Sequence, residues 1–103
     1  MANGVARGSR IDRIKSTLTE AQAEALCRQW LPKGRRKGRA WVCCSPFRAE
    51  NTPSFYVYLT PKIGFYDYGA GHSGDMINLC CRLFNVSTRD ALEAFEQMLG
   101  LQV

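Results

Sequence analysis

The sequence predicts an α+β domain in which a small antiparallel β-sheet is packed with flanking α-helices. Three observations carry this. Ser54–Leu59 alternates, with Phe55, Val57 and Leu59 facing one way and Tyr56 and Tyr58 the other, the period of a half-buried strand. Thr60-Pro61-Lys62-Ile63-Gly64 then turns the chain and Phe65–Tyr68 returns it, so the two strands read as a hairpin. Apolar residues at helical intervals, each run opened by a capping residue, lie on both sides of the hairpin.

Residues 1–10 lack periodicity and read as a flexible tail, leaving 11–103 as a single domain. Ile11, Ile14 and Leu18 share one face of a short helix. Thr19 with Gln22 has the spacing of a capping box; Ala21, Ala25, Leu26 and Trp30 continue at helical intervals until Pro32 stops the run. Lys33–Arg39 (KGRRKGR) holds five cations in seven residues, broken by Gly34 and Gly38, and reads as a flexible loop. Ala40–Cys44 is a strand, followed by turn-forming residues from Ser45 to Pro53, with Glu50 and Thr52 fixing the turn before Pro53. Gly69–Gly74 is a glycine-rich turn holding His72, the single histidine, in an exposed loop. A helix from about Asp75 to Phe84 follows, capped by Ser73 or Asp75, with Met76, Ile77, Leu79, Cys80, Leu83 and Phe84 too broad for an exposed surface helix. Asn85 ends it. Ser87 with Asp90 opens the last helix, Thr88–Leu99, whose buried stripe is Ala91, Leu92, Phe95, Met98 and Leu99 before Gly100.

The chain has 103 residues, a formal charge of +5 and 46% hydrophobic residues, which suits one small domain and excludes wholesale disorder. No apolar run approaches the ~20 residues of a membrane span. The basic amino terminus has no apolar core of a secretory signal, so the expected compartment is the cytoplasm and no membrane partner is expected. Residues 1–52 carry eleven Lys and Arg against four acids, whereas 53–103 carry three against five. A basic half of this kind points to a polyanion, nucleic acid first. Five cysteines fall as Cys27, Cys43-Cys44 and Cys80-Cys81, with no CxxC; they read as reduced, half-buried hydrophobes, and a thiol-redox role is disfavoured.

The stretch from Ser45 to Asp75 resembles the amino-terminal zinc-binding (CHC-type zinc finger) domain of bacterial and phage DNA primases. Ser45-Pro46-Phe47-Arg48, Glu50 and Thr52-Pro53-Ser54-Phe55 with Val57 look like the family's Cys-Pro-Phe-His…Glu-x-Thr-Pro-Ser-Phe-x-Val. Phe65–Gly71 looks like the segment holding the Cys-Phe-Gly-Cys-Gly turn, and Gly71-His72-Ser73-Gly74-Asp75 matches the Gly-x-x-Gly-Asp that leads into a helix. The resemblance implies a zinc-ribbon-like sheet in which the metal has been lost. The family holds zinc through three Cys and one His, and those four positions fall here on Ser45, Arg48, Asp67 and Ala70. None is a thiol or an imidazole, so a degenerate form without zinc or other cofactor is expected. A relocated site using Cys44, His72 and Cys80 or Cys81 is the alternative. Losing a structural zinc removes binding free energy of order 10–16 kcal/mol, so something must replace it. Arg48 and Asp67, at two converging ligand positions, are expected to form a partly buried bidentate ion pair. Eight of the eleven aromatics, between Trp41 and Tyr68, supply the surrounding core.

In that family the domain contacts single-stranded template, while polymerase chemistry belongs to a separate downstream domain. The resemblance therefore implies a DNA-binding recognition module in DNA replication rather than an enzyme on its own, with no catalytic residues expected. Its partners would be single-stranded DNA and a primase, polymerase or helicase. Lys33, Arg35, Arg36, Lys37 and Arg39 would track phosphates, and Trp41, Tyr56, Tyr58 and Tyr66 would meet bases. If Tyr58 pairs opposite Tyr66, then Tyr56 falls opposite Tyr68 and the four rings share one surface. The alternatives are that helices cover this face and the tyrosines are core, and that the domain is a protein–protein adaptor docking on a replication enzyme without touching DNA.

Overall fold

The computed structural model describes residues 7–101. In chain order these form α1 (Arg7–Thr17), α2 (Glu20–Trp30), β1 (Arg35–Lys37), β2 (Ala40–Cys43), β3 (Phe55–Tyr58), β4 (Gly64–Asp67), β5 (His72–Gly74), α3 (Met76–Phe84) and α4 (Thr88–Leu99). The fold is α+β, and its sheet is an antiparallel meander ordered β1-β2-β3-β4-β5.

The pairing decides which side chains are buried. Trp41 lies opposite Val57 and Cys43 opposite Phe55, while Val57 and Phe55 lie opposite Phe65 and Asp67. Because side chains alternate along a strand, all of these share one face. They are buried there with Ile77, Leu79, Leu92 and Phe95 from the helices. Phe55 is fully buried, stacked on Phe65 at 5.5 Å between ring centroids and edge-on to Phe47 at 5.8 Å. Gly34 sits where a Cβ would collide with the Trp41 indole, so glycine is what lets α2 run so closely into β1.

The helix boundaries follow their capping chemistry. Thr19 and Gln22 form the expected capping box on α2, and Asp75 with Asn78 forms another on α3, which selects Asp75 over Ser73 as the cap. Asn85, at φ 53°, ends α3, and Gly100, at φ 70°, ends α4.

Besides Met98, expected in the buried stripe of α4 but 45% exposed, four features of the fold differ from the sequence-based expectations. First, α1 begins at Arg7, inside the segment read as a tail; Arg10 donates twice to Glu96 (2.9 and 2.6 Å), which anchors α1 to α4. Residues 1–6 of that segment lie outside the described residues. Second, the basic run Lys33–Arg39 holds a strand, β1, because β2 offers an edge to which Arg35, Arg36 and Lys37 pair through backbone alone. Third, the turn after Gly69 contains β5, with Tyr66 opposite Ser73 and Asp67 opposite His72. Fourth, α2 buries Ala23, Leu26 and Cys27 while Ala21 and Ala25 are exposed, a rotation that brings Glu24 to Arg36. Among the described residues no helix is long and apolar enough to cross a membrane.

Candidate nucleic-acid interface

The helices gather on one face of the sheet and leave the other to four tyrosines. Tyr56 lies opposite Tyr66, and the amide of Tyr68 donates to the Ser54 carbonyl at 2.9 Å. The register is therefore shifted by two residues from the expected Tyr58–Tyr66 pairing. A shift of two preserves the face, so the four rings still form one surface. Tyr66 and Tyr68 are 39% and 54% exposed, while Tyr56 and Tyr58 are half-buried, so the tyrosines are not core. The ring centroids of Tyr56 and Tyr58 are 5.9 Å apart, of Tyr56 and Tyr68 5.1 Å, and of Tyr66 and Tyr68 4.3 Å. The Tyr58 and Tyr68 hydroxyls hydrogen-bond at 2.5 Å, which pushes the Tyr58 phenol up to about 12 and keeps it protonated. Pro53, Ser54, Tyr56, Tyr58 and Tyr68 line a shallow cleft of about 340 Å³ on this surface.

Strand alternation sorts the basic run. Arg35 pairs with Val42 and Lys37 with Ala40, both on the tyrosine face, whereas Arg36 pairs with Trp41 on the covered face. Arg36 is accordingly bound to Glu20 at 2.6 Å and Glu24 at 2.7 Å of α2. That carboxylate pair raises its pKa, and Arg36 with Arg28 holds Glu24 below the usual range. Lys33 and Arg39 are exposed in the loops flanking β1. Trp41, expected to meet bases, is instead a core residue: it is 3% exposed and its indole N–H donates to the Leu31 carbonyl at 3.0 Å. Of the residues expected at an interface, the open face thus brings together Arg35, Lys37, Tyr56, Tyr58 and Tyr66, and adds Tyr68. Sequence reasoning missed Lys15 and Lys62. They line a neighbouring cavity of about 490 Å³ whose wall includes Tyr58, Tyr66 and Ser73. Lys62 was detectable as a cation in the β3–β4 turn; Lys15 reaches the cavity only through the tertiary placement of α1.

Ser45 and Arg48 lie in the β2–β3 loop, Asp67 is the last residue of β4 and Ala70 is in the turn after it. Arg48 donates from Nη1 to Asp67 Oδ2 at 2.7 Å and from Nη2 to Oδ1 at 2.8 Å, a bidentate pair. Its Nη2 also reaches Ser54 Oγ at 3.1 Å and Glu50 Oε1 at 3.2 Å. Glu50 accepts the Ser45 amide, and Ser45 Oγ accepts the amide of Phe47 at 3.0 Å. Asp67 is 1% exposed, and the Arg48 guanidinium, with help from the Ala70 and Gly69 amides, holds its carboxyl below the usual range. Glu50 is lowered as well, first by the Ser45 amide. A closed zinc site needs four thiolate, imidazole or carboxylate donors. A hydroxyl, a guanidinium, one engaged carboxylate and a methyl group do not fit zinc. Among the described residues no three His, Cys, Asp or Glu side chains are gathered to hold a metal, the relocated set around Cys44 and His72 included.

A family model described as "CHC2 zinc finger" matches residues 10–103. The chain belongs to the CHC2 zinc-finger family. Among its described residues no group of His, Cys, Asp or Glu could hold a metal, which is consistent with a degenerate form of that domain. Its relatives include the DNA primase of Myxococcus xanthus, 33% identical over 69 residues, which are 67% of this chain and 11% of that protein. The DNA primase of Chlamydia trachomatis is 41% identical over 59 residues, 56% of this chain and 10% of that protein. The chain thus spans about a tenth of the length of these curated relatives. The crystal structure of the zinc-binding and RNA polymerase domains of Aquifex aeolicus primase superposes with a TM-score of 0.76 at 22% identity. It covers 91% of this CHC2 chain and 22% of the other, and so shows the fold.

Proposed function

We propose that this CHC2 domain is a single-stranded DNA recognition module. It contacts template during DNA replication of a bacterial chromosome, phage or mobile element. It works with a separate primase, polymerase or helicase and is not an enzyme by itself. One observation carries this reading: an exposed surface of four tyrosines with Arg35 and Lys37 on the same face. Single-strand binding needs π-faces for bases, worth ~1–3 kcal/mol per stacked base, and cations placed for the phosphates. Here the sheet supplies both, since each side chain's face is set by backbone pairing. Kinship with DNA primases agrees with it.

The adaptor reading rests on another surface. Phe84 and Met98 are 52% and 45% exposed, and Trp30 meets Phe84 edge-on at 5.5 Å between centroids. Titration of the purified chain into a fluorescent oligonucleotide at low and moderate salt separates the two. Saturable binding that weakens with salt and is lost in Tyr66→Ala/Tyr68→Ala supports DNA recognition. No binding at low salt overturns it in favour of the adaptor.

A further inference from the structure

A zinc finger joins two chain segments through one ion, and in this chain the same two segments are joined by a polar network. Ser45 and Arg48 belong to the β2–β3 loop; Asp67 and Ala70 belong to the end of β4 and the turn after it. The Arg48–Asp67 pair spans them with two charge-assisted hydrogen bonds of 2.7 and 2.8 Å. The other two positions attach to this centre. Glu50 accepts both the Ser45 amide and Arg48 Nη2, and the Ala70 amide donates to the Asp67 carbonyl at 3.2 Å. Glu50 and Ser54 add further acceptors at Arg48 Nη2, so the buried carboxylate faces a partner that is itself held in place. The backbone is shaped for the arginine as well. A Cβ on Gly69 would occupy the place of Arg48 Nη2, so only glycine leaves that volume open.

We infer that this chain has exchanged its structural zinc for a guanidinium–carboxylate clamp, and that it folds without metal. The clamp does the geometric work of the ion: it fixes the distance and orientation of the β2–β3 loop against the β4–β5 turn. Among the described residues the cysteines do not offer a substitute site, since no three His, Cys, Asp or Glu side chains are gathered to hold a metal.

The test compares the native chain, expressed with zinc in the medium, against a reverted one. Elemental analysis is expected to find no stoichiometric zinc in the native chain, and excess EDTA to leave its Tm unchanged. One zinc per chain together with a Tm that falls in EDTA would overturn the inference. Ser45→Cys/Arg48→His/Asp67→Cys/Ala70→Cys is expected to bind one zinc and to acquire an EDTA-sensitive Tm. If it binds no zinc, the four positions do not converge as the metal requires, and the inference fails. In the native background, Arg48→Leu and Gly69→Ala are each expected to lower Tm by about 5 °C or more. Arg48→Leu/Asp67→Leu, which removes the buried Asp67 charge together with its partner, is expected to lose less than Arg48→Leu alone. A Tm unmoved by either single substitution would show that the clamp holds nothing.

Discussion

Asp67 shows how a charge can be stable in the interior of so small a domain. Its carboxylate receives two bonds from Arg48 and further donation from the Gly69 and Ala70 amides, so its folded pKa lies below its unfolded one. A carboxylate lowered in this way stabilises the fold fully above its unfolded pKa, near 4. That contribution is lost as the pH falls through the folded value. Glu50, facing the same arginine, is lowered too, as are Glu24 and Glu96 beside Arg36 and Arg10. Tm measured against pH is therefore expected to be level from about pH 7 to 5 and to drop below about pH 4. Asp67→Asn is expected to lower Tm at neutral pH and to make the acid limb shallower, leaving the part due to the glutamates. An acid limb identical to that of the native chain would show that Asp67 does not titrate against Arg48. The pair itself was legible in the sequence, because opposite charges fell at two positions that the family resemblance brings together. The roles of Glu50 and Ser54 as its second partners were not. They depend on how the β2–β3 loop folds back on itself, which no periodicity encodes.

At the scale of elements, β1 is the part least visible in the sequence and the part that most refines the interface. A run of five cations and two glycines has no apolar alternation, and the strand exists because β2 presents an edge to pair with. Once it is a strand, its alternation divides charges that looked equivalent. Arg35 and Lys37 share a face with the tyrosines, while Arg36 is turned to Glu20 and Glu24. Trp41 illustrates the same limit in reverse. It is aromatic and next to the basic run, yet its position opposite Val57 commits it to the core. The division predicts unequal effects from equal charge removal. Arg35→Ala/Lys37→Ala is expected to weaken oligonucleotide binding at low salt by about tenfold or more. Its log–log salt slope should shallow by roughly 1.4, about 0.7 for each phosphate no longer neutralised. Arg36→Ala is expected to leave that slope nearly unchanged and instead to lower Tm by a few degrees, since it unpairs Glu20 and takes from Glu24 one of its two arginine partners. Equal slopes for the two variants would mean that the net charge of the segment, rather than the face, governs binding.

The whole molecule is a sheet with two unlike sides, and the two sides answer to different demands. The covered side carries Phe55, Val57, Phe65 and Asp67 against the helices; the open side carries Tyr56, Tyr58, Tyr66 and Tyr68. Period-two alternation wrote both into the same strands, which is why the sequence disclosed the faces while misplacing the register by two residues. A slip of two exchanges partners without exchanging sides, and nothing in a Tyr-rich face marks one partner over another. Stability and binding should therefore separate along the sheet normal. Phe55→Ala removes a fully buried ring, stacked on Phe65 and edge-on to Phe47, and is expected to cost about 3–5 kcal/mol in chemical denaturation. In whatever fraction remains folded, the affinity for an oligonucleotide should be close to native. Tyr66→Ala/Tyr68→Ala removes exposed rings and one hydroxyl–hydroxyl bond. It is expected to change Tm by only a few degrees while weakening binding by about tenfold or more, the loss of at least one stacked base. Denaturation and titration on the same two samples decide the matter. If the tyrosine variant unfolds while the phenylalanine variant loses binding, the open face is structural and the reading of the molecule as a stacking platform is wrong.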